Sequence, residues 1–207
     1  AQTVTPTAAI PLYGRSADNI RDHRHVTSLL HRIETTDIGV LVTPTLSFDE
    51  RGHQVNHMTY YCVGWSGNGE KPVDFYPTAE DFVGEGGNFE RPYAIVKNAE
   101  GVKAGTRIEG LEAVGGLHFS EVTLEPEEEC SYLIFTGITE DIQEIRNLSK
   151  TYTTREMVLE ELEKTKAYWQ EKVNVAYHTG DSDFNQFMHW VSFQPILRRI
   201  YGCSFLP

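Results

Sequence analysis

Cysteine is scarce: Cys62, Cys130 and Cys203 are the three in 207 residues, far apart and in no C-x-x-C spacing. That excludes a disulfide framework and removes the usual zinc signature, so a reducing cytoplasm is the expected compartment. Positive charge is short as well. Against 30 Asp+Glu stand 18 Lys+Arg, a formal net charge of −12, and a polyanion such as nucleic acid is repelled over most of such a surface. Nowhere do about 18 apolar residues follow one another, which leaves no segment able to span a membrane as a helix. The amino terminus, AQTVTPTAAIPLYG, lacks both the basic and the continuous apolar region of a secretion signal. Beginning at Ala1 rather than Met suits a clipped or processed segment.

What the chain does have is length for one large domain, or for one domain with an appendage. It also carries 10 Phe, 10 Tyr and 3 Trp, large amphipathic surfaces of the kind that stack on sugar rings. Residues 1–145 read as an antiparallel β-sandwich. In TTDIGVLVTPTLSF (35–48) β-branched and apolar residues dominate, Asp49–Gly52 supplies a turn, and VNHMTYYCVGW (55–65) resumes the pattern, which predicts a hairpin. YAIVK (93–97), LHFSEVTL (117–124) and SYLIFTGI (131–138) are further predicted strands, punctuated by glycines. No helix of crossover length separates them, so an antiparallel sandwich is favoured over a parallel α/β sheet. The stretch 15–34 fits either a strand or a short helix, because Val26, Leu29, Leu30 and Ile33 also share one helical face.

The pattern changes after about residue 140. Residues 146–180 read as a helical linker, with Thr153-Thr154-Arg155-Glu156 as a capping box and Val158, Leu162, Thr165, Trp169 and Val173 as one helical stripe. Residues 181–207 form a third segment. A helix predicted over 183–200, capped by Asp181 or Ser182, carries Phe184, Phe187, Met188, Trp190, Val191, Phe193, Ile196, Leu197 and Ile200 around most of its girth. Such a helix needs covering on all sides, by an oligomer or by chain that continues beyond Pro207.

Several groups invite a chemical reading. Asp181 and Asp183 make a carboxylate pair, read as helix capping. Glu125 and Glu127–Glu129 crowd one turn and read as a solvated loop, since neighbouring carboxylates on a turn diverge. His23, His25 and His31 hint at a metal cluster but lack a fourth ligand at a defined spacing, so no metal is expected. Gly84-Glu85-Gly86-Gly87-Asn88 would cradle phosphate if a helix followed. FERPYAIV follows instead, and a turn that docks on a neighbouring domain is the expectation. Asn147-Leu148-Ser149 matches a glycosylation sequon by chance.

AEDFVGEGGNFERPYAI (79–95), GGLHFSEVTLEPEEECSYLIFTGITED (115–141) and TGDSDFNQFMHWVSFQPILRRIYGCSFLP (179–207) together resemble glycoside hydrolase family 94, the cellobiose-phosphorylase-like enzymes. The first carries an F-x-G-x-x-G-x-x-x-x-P-x-A-type segment, here Phe82, Gly84, Gly87, Pro92 and Ala94. RHVTSLLHRIETTDIGV (24–40) and PTLSFDERGHQVN (44–56) extend the likeness to most of the chain, which is most similar to 1,2-β-oligoglucan phosphorylase-like members. The resemblance implies a β-sandwich, a linker helix and the first helix of a truncated (α/α)6 catalytic barrel. It further implies the amino-terminal part of an inverting phosphorylase, a glycosyltransferase-type enzyme that converts β-glucan and inorganic phosphate to α-glucose 1-phosphate. The family's catalytic acid is a barrel Asp that nothing here matches, so no catalytic residue carries over and the chain alone is expected to be inactive. Implied partners are a β-glucan or β-glucoside oligosaccharide, phosphate as co-substrate, the rest of the barrel and a homo-oligomer, with no other cofactor. Gln194 and Arg198, four apart on one helical face, are the substrate-binding candidates as phosphate ligands. Trp190 and Phe193 read as core. The alternatives are a carbohydrate-binding or scaffolding sandwich without chemistry, and the phosphorylase-like part of a cyclic β-1,2-glucan synthase.

Overall fold

A computed structural model describes residues 1–13, 26–49, 52–197, 199–200 and 203–204. The chain divides into two units, Ala1–Arg155 and Glu156–Pro207.

The first unit is mainly β. Its strands are β1 (Gln2–Val4), β2 (Thr7–Leu12), β3 (Arg32–Thr35), β4 (Gly39–Val42), β5 (Leu46–Asp49), β6 (Gly52–Val55), β7 (Thr59–Ser66), β8 (Asp74–Thr78), β9 (Arg107–Glu109), β10 (Ala113–His118), β11 (Val122–Leu124) and β12 (Tyr132–Thr139). A five-stranded sheet in the order β12-β7-β4-β3-β9 packs on a three-stranded sheet in the order β2-β10-β8, and every described pairing is antiparallel. Leu12, Ile33, Val40, Val42, Cys62, Phe75, Ala113, Leu117 and Phe119 fill the space between them. Alternation decides who faces in: on β3 Ile33 and Thr35 are buried while Arg32 and Glu34 are exposed, the period of two expected of a strand with one wet face.

Both outer faces are covered by short helices. On the five-stranded sheet α3 (Ile142–Thr151) buries Ile145. There Trp65 stacks on Phe135 at 5.1 Å, Phe135 stacks on Tyr152 at 5.5 Å, and the Trp65 indole N–H donates to the Tyr152 carbonyl at 2.9 Å. On the three-stranded sheet α1 (Ala79–Val83) and α2 (Tyr93–Lys97) contribute Phe82, Val83 and Ala94 to a second cluster with Tyr76 and Val114.

The predicted hairpin is present: β5 and β6 pair from Leu46↔Val55 to Asp49↔Gly52, and β4 continues onto β7. Two predicted strands are corrected. LHFSEVTL holds two strands of different sheets, β10 ending at His118 and β11 beginning at Val122. YAIVK is α2, a helix. Pro92 at its N-cap sets φ to −66°, Asn98 closes it in the left-handed region at φ 47°, and burying Ala94 outweighs the strand preference of Ile95 and Val96. Of the ambiguous stretch 15–34, residues up to 25 lie outside the described ones; 26–28 form a helical turn and 32–35 are β3.

In the second unit α4 (Arg155–Lys172) follows the capping-box sequence and runs for 18 residues. α5 (Ser182–Leu197) carries Pro195 in its last turn, and the two-residue strands β13 (Arg199–Ile200) and β14 (Cys203–Ser204) pair after it. Trp169 of α4 meets Phe193 of α5 at 5.4 Å, and His189 lies edge-on to Phe193 at 5.0 Å. Phe184, Phe187, Trp190 and Val191 remain exposed. No described helix is long and apolar enough to cross a membrane.

Candidate functional site

A cleft of the first unit, about 980 Å3, opens where β8 passes into α1. Thr78 caps that helix: its hydroxyl accepts from the Asp81 N–H at 3.1 Å and donates to the Asp81 carboxylate at 2.7 Å, an arrangement that satisfies an otherwise orphaned donor of the first turn. Gly84 then ends the helix at φ 82°, its N–H returning to the Glu80 carbonyl at 3.1 Å. A side chain there would meet Tyr93 as well as a φ that L residues avoid. At Gly87 a Cβ would run into the Val83 carbonyl. Asn88 closes the loop, its side-chain oxygen accepting from the N–H groups of Glu90 and Arg91 at 3.0 and 3.1 Å. Phe89 is carried onto Phe82 at 5.9 Å. The F-x-G-x-x-G-x-x-x-x-P-x-A residues are thus the ones this corner needs: Phe82 and Ala94 as core, Gly84 and Gly87 for close approach, Pro92 to start α2.

Glu80, Glu85 and Glu112 line the cleft together with Val83, Asn88 and Phe89. A helix does follow the glycine loop, contrary to expectation, yet phosphate gains nothing from it. It is a five-residue turn with no side-chain cap, the Gly84 and Gly87 N–H groups are spent on Glu80 and Gly84 carbonyls, and three carboxylates oppose an anion.

A second polar cluster is buried in the three-stranded sheet. Asp74 of β8 and His118 of β10 are cross-strand partners whose carboxylate and ring Nδ1 lie 2.7 Å apart. Lys103 stands 3.8 Å from the other carboxylate oxygen. The Tyr76 hydroxyl donates to the Ala99 carbonyl at 2.6 Å, and burial, with the nearby Asp74 charge second, pushes its pKa up to about 12. These contacts hold the 99–103 segment against β8, where Phe75 and Val102 exchange backbone hydrogen bonds. Nothing in the sequence announces the pair, because residues 44 apart become neighbours only through strand register.

The residues singled out from sequence are dispersed. His31 is buried, with Nδ1 3.1 Å from the Leu111 carbonyl and Nε2 2.9 Å from that of Tyr13; His23 and His25 lie outside the described residues. Among the described residues no group of three or more His, Cys, Asp or Glu side chains is placed to hold a metal. The Asp181 carboxylate accepts from the N–H groups of Asp183 and Phe184, both at 3.0 Å, as a helix cap. The Glu125–Glu129 turn is exposed and closes on itself, the Glu128 carboxylate accepting from the Glu125 N–H at 2.9 Å. Gln194 is half-buried on α5, and Arg198 is outside the described residues. The cleft carboxylates Glu80 and Glu112 were not legible as a set, since 32 residues separate them and a backbone bond from Ala79 N–H to the Glu112 carbonyl brings them together.

A family model described as the supersandwich domain of glycosyl hydrolase family 94 matches residues 14–155. No curated protein matches the chain.

Proposed function

Because this chain belongs to glycosyl hydrolase family 94 through its supersandwich domain, we propose that it is the amino-terminal, non-catalytic portion of an inverting β-glycoside phosphorylase. In that reaction phosphate attacks the anomeric carbon of a β-glucoside, the C–O bond to the departing sugar breaks, and α-glucose 1-phosphate forms. A carboxylic acid protonates the leaving oxygen, and phosphate takes the place of the base-activated water of an inverting hydrolase. The acid and the phosphate ligands belong, in this reading, to an (α/α)6 barrel of which 181–207 is the first helix, 146–180 being the linker and 1–145 the supporting sandwich. In this reading the setting is cytoplasmic and the substrate of the parent enzyme is a 1,2-β-linked glucan.

The match over residues 14–155 carries this reading. It is supported by the uncovered apolar side chains of Phe184, Phe187, Trp190 and Val191, which a self-contained binding module has no use for. A coupled assay for glucose 1-phosphate checks it: the isolated chain, given β-glucan and phosphate, releases none. Turnover by the chain alone would place a catalytic acid within it and overturn the non-catalytic role.

A further inference from the structure

We infer that the outer edge of β12 is a docking edge for an extended segment of another polypeptide, one with alternating apolar residues and with basic residues at both ends.

The two packed sheets have four edges, β12 and β9 in one and β2 and β8 in the other. An open edge invites unwanted pairing, and proteins guard against it with short strands, charge, proline or a covering loop. Three of the four are guarded in these ways. β9 is three residues long and carries Arg107 and Glu109, β2 contains Pro11, and β8 is closed by the reciprocal backbone bonds of Phe75 with Val102. β12 has none of these devices. It runs for eight residues, and from Ser131 to Thr139 the chain holds neither proline nor a charged side chain.

Register fixes which backbone groups that edge presents. The Gly67 N–H donates to the Ser131 carbonyl at 2.7 Å, and on the other side of β7 the Gly64 N–H donates to the Ile38 carbonyl at 2.8 Å. Successive residues of a strand point their N–H and C=O groups to opposite neighbours. With Leu133↔Trp65, Phe135↔Val63 and Gly137↔Tyr61 in register, the odd-numbered residues of β12 bond to β7, and Tyr132, Ile134, Thr136 and Ile138 point theirs outward. Among the described residues no backbone group meets them. The strand is fixed on both faces, Tyr132 and Ile134 against the inter-sheet core and Phe135 against Trp65, so little entropy remains to be lost on its side when a strand is added. An added strand sets its own side chains opposite Ile134 and Ile138, the latter 45% exposed, and apolar ones there pair best.

Charge selects among the strands that could dock. Glu127, Glu128 and Glu129 precede β12, Glu140 and Asp141 follow it, and all five are exposed. A second copy running antiparallel would set the first group against the second, acid against acid at both ends, on top of a net charge of −12 per chain. A segment that ends in Lys or Arg meets opposite charge at both ends, whichever way it runs.

Calorimetric titration of the full chain at low salt tests the assignment. The probes are end-blocked peptides of alternating Thr and Val: one with Lys pairs at both ends, one with Glu pairs, and the Lys-ended peptide N-methylated at every Thr and Val. The Lys-ended peptide should bind about ten-fold or more tighter than the Glu-ended one, slow amide exchange at Ile134, Thr136 and Ile138, and lose its affinity on N-methylation. Thr136→Pro removes an outward N–H and no ladder bond, and should abolish binding with the circular dichroism unchanged. Should that variant fail to fold, the N-methylated peptide, which leaves the protein untouched, decides. No binding of the Lys-ended peptide, equal binding of the Glu-ended one, full binding after N-methylation, or protection that falls elsewhere than on β12 would each overturn the inference. Dimers at low salt that Thr136→Pro abolishes would give the edge to a second copy and overturn the choice of partner.

Discussion

At Gly115 the two sheets approach so closely that a Cβ would collide with that of Cys62 and lie 2.9 Å from its sulfur. Gly64, on the strand that carries Cys62, makes the same kind of room for the Leu133 carbonyl and for the Ile134 and Leu117 side chains. Overpacking such a contact forces backbone shifts, so Gly115→Ala should lower stability by about 1–3 kcal/mol, read as a reduced urea midpoint at unchanged slope. Cys62 itself is fully buried and its thiol is pushed up from 9.0 to about 12 by burial, whereas Cys130 is exposed. In a Cys203→Ser background a thiol reagent at pH 8 should therefore modify Cys130 rapidly and Cys62 only after unfolding, with Cys130→Ser removing the fast phase. Fast modification in that variant that Cys62→Ser abolishes would contradict the packing. The same shifts set an alkaline limit. Cys62 and Tyr76 hold their protons to higher pH folded than unfolded, 9.0 and 10.0 rising to about 12 in each case. Their contribution is complete below pH 9 and is lost as pH rises from there toward 12, which a series of melts across that range would record as a steadily falling midpoint.

Among the elements, caps and turns were legible in the sequence where their chemistry is local. Asp181 was readable as a cap, and its two hydrogen bonds at 3.0 Å make it one; Asp181→Ala should cost α5 about 1 kcal/mol, visible as earlier loss of helical circular dichroism on heating. If that variant melts like the wild type, the cap contributes nothing. The 35–65 hairpin was legible for the same reason, alternating strands around a turn. α2 was not, because Ile95 and Val96 read as strand and outweighed the local Asn98 cap, while the deciding feature is nonlocal: Ala94 buried against Phe82 and Val114. LHFSEVTL shows the complementary failure. Its apolar content is that of one strand, but the ladder breaks after Phe119: its N–H bonds to the Pro6 carbonyl at 3.0 Å, Pro6 has no N–H to return, and pairing resumes in another sheet at Val122 with β1. The cleft and the Asp74–His118 pair depend wholly on register and on backbone bonds between distant segments, information that periodicity does not carry.

For the molecule as a whole, two surface properties pull in opposite directions. A net charge of −12 keeps copies apart at low salt, and screening removes that protection beyond about 10 Å at 0.1 M ionic strength. Exposed aromatic and aliphatic side chains on α5, Phe187 at 61% and Trp190 at 57% among them, supply an attraction that salt does not weaken. The isolated chain should consequently bind a hydrophobic dye and associate with rising salt and concentration in sedimentation experiments. Phe187→Glu with Trp190→Glu should suppress both effects. The melting of the sandwich should not change, because neither residue belongs to its core clusters. A wild-type chain that stays monomeric at high salt without binding the dye would mean that this face is satisfied within the polypeptide, and the covering role assigned to a catalytic barrel would then have nothing to cover.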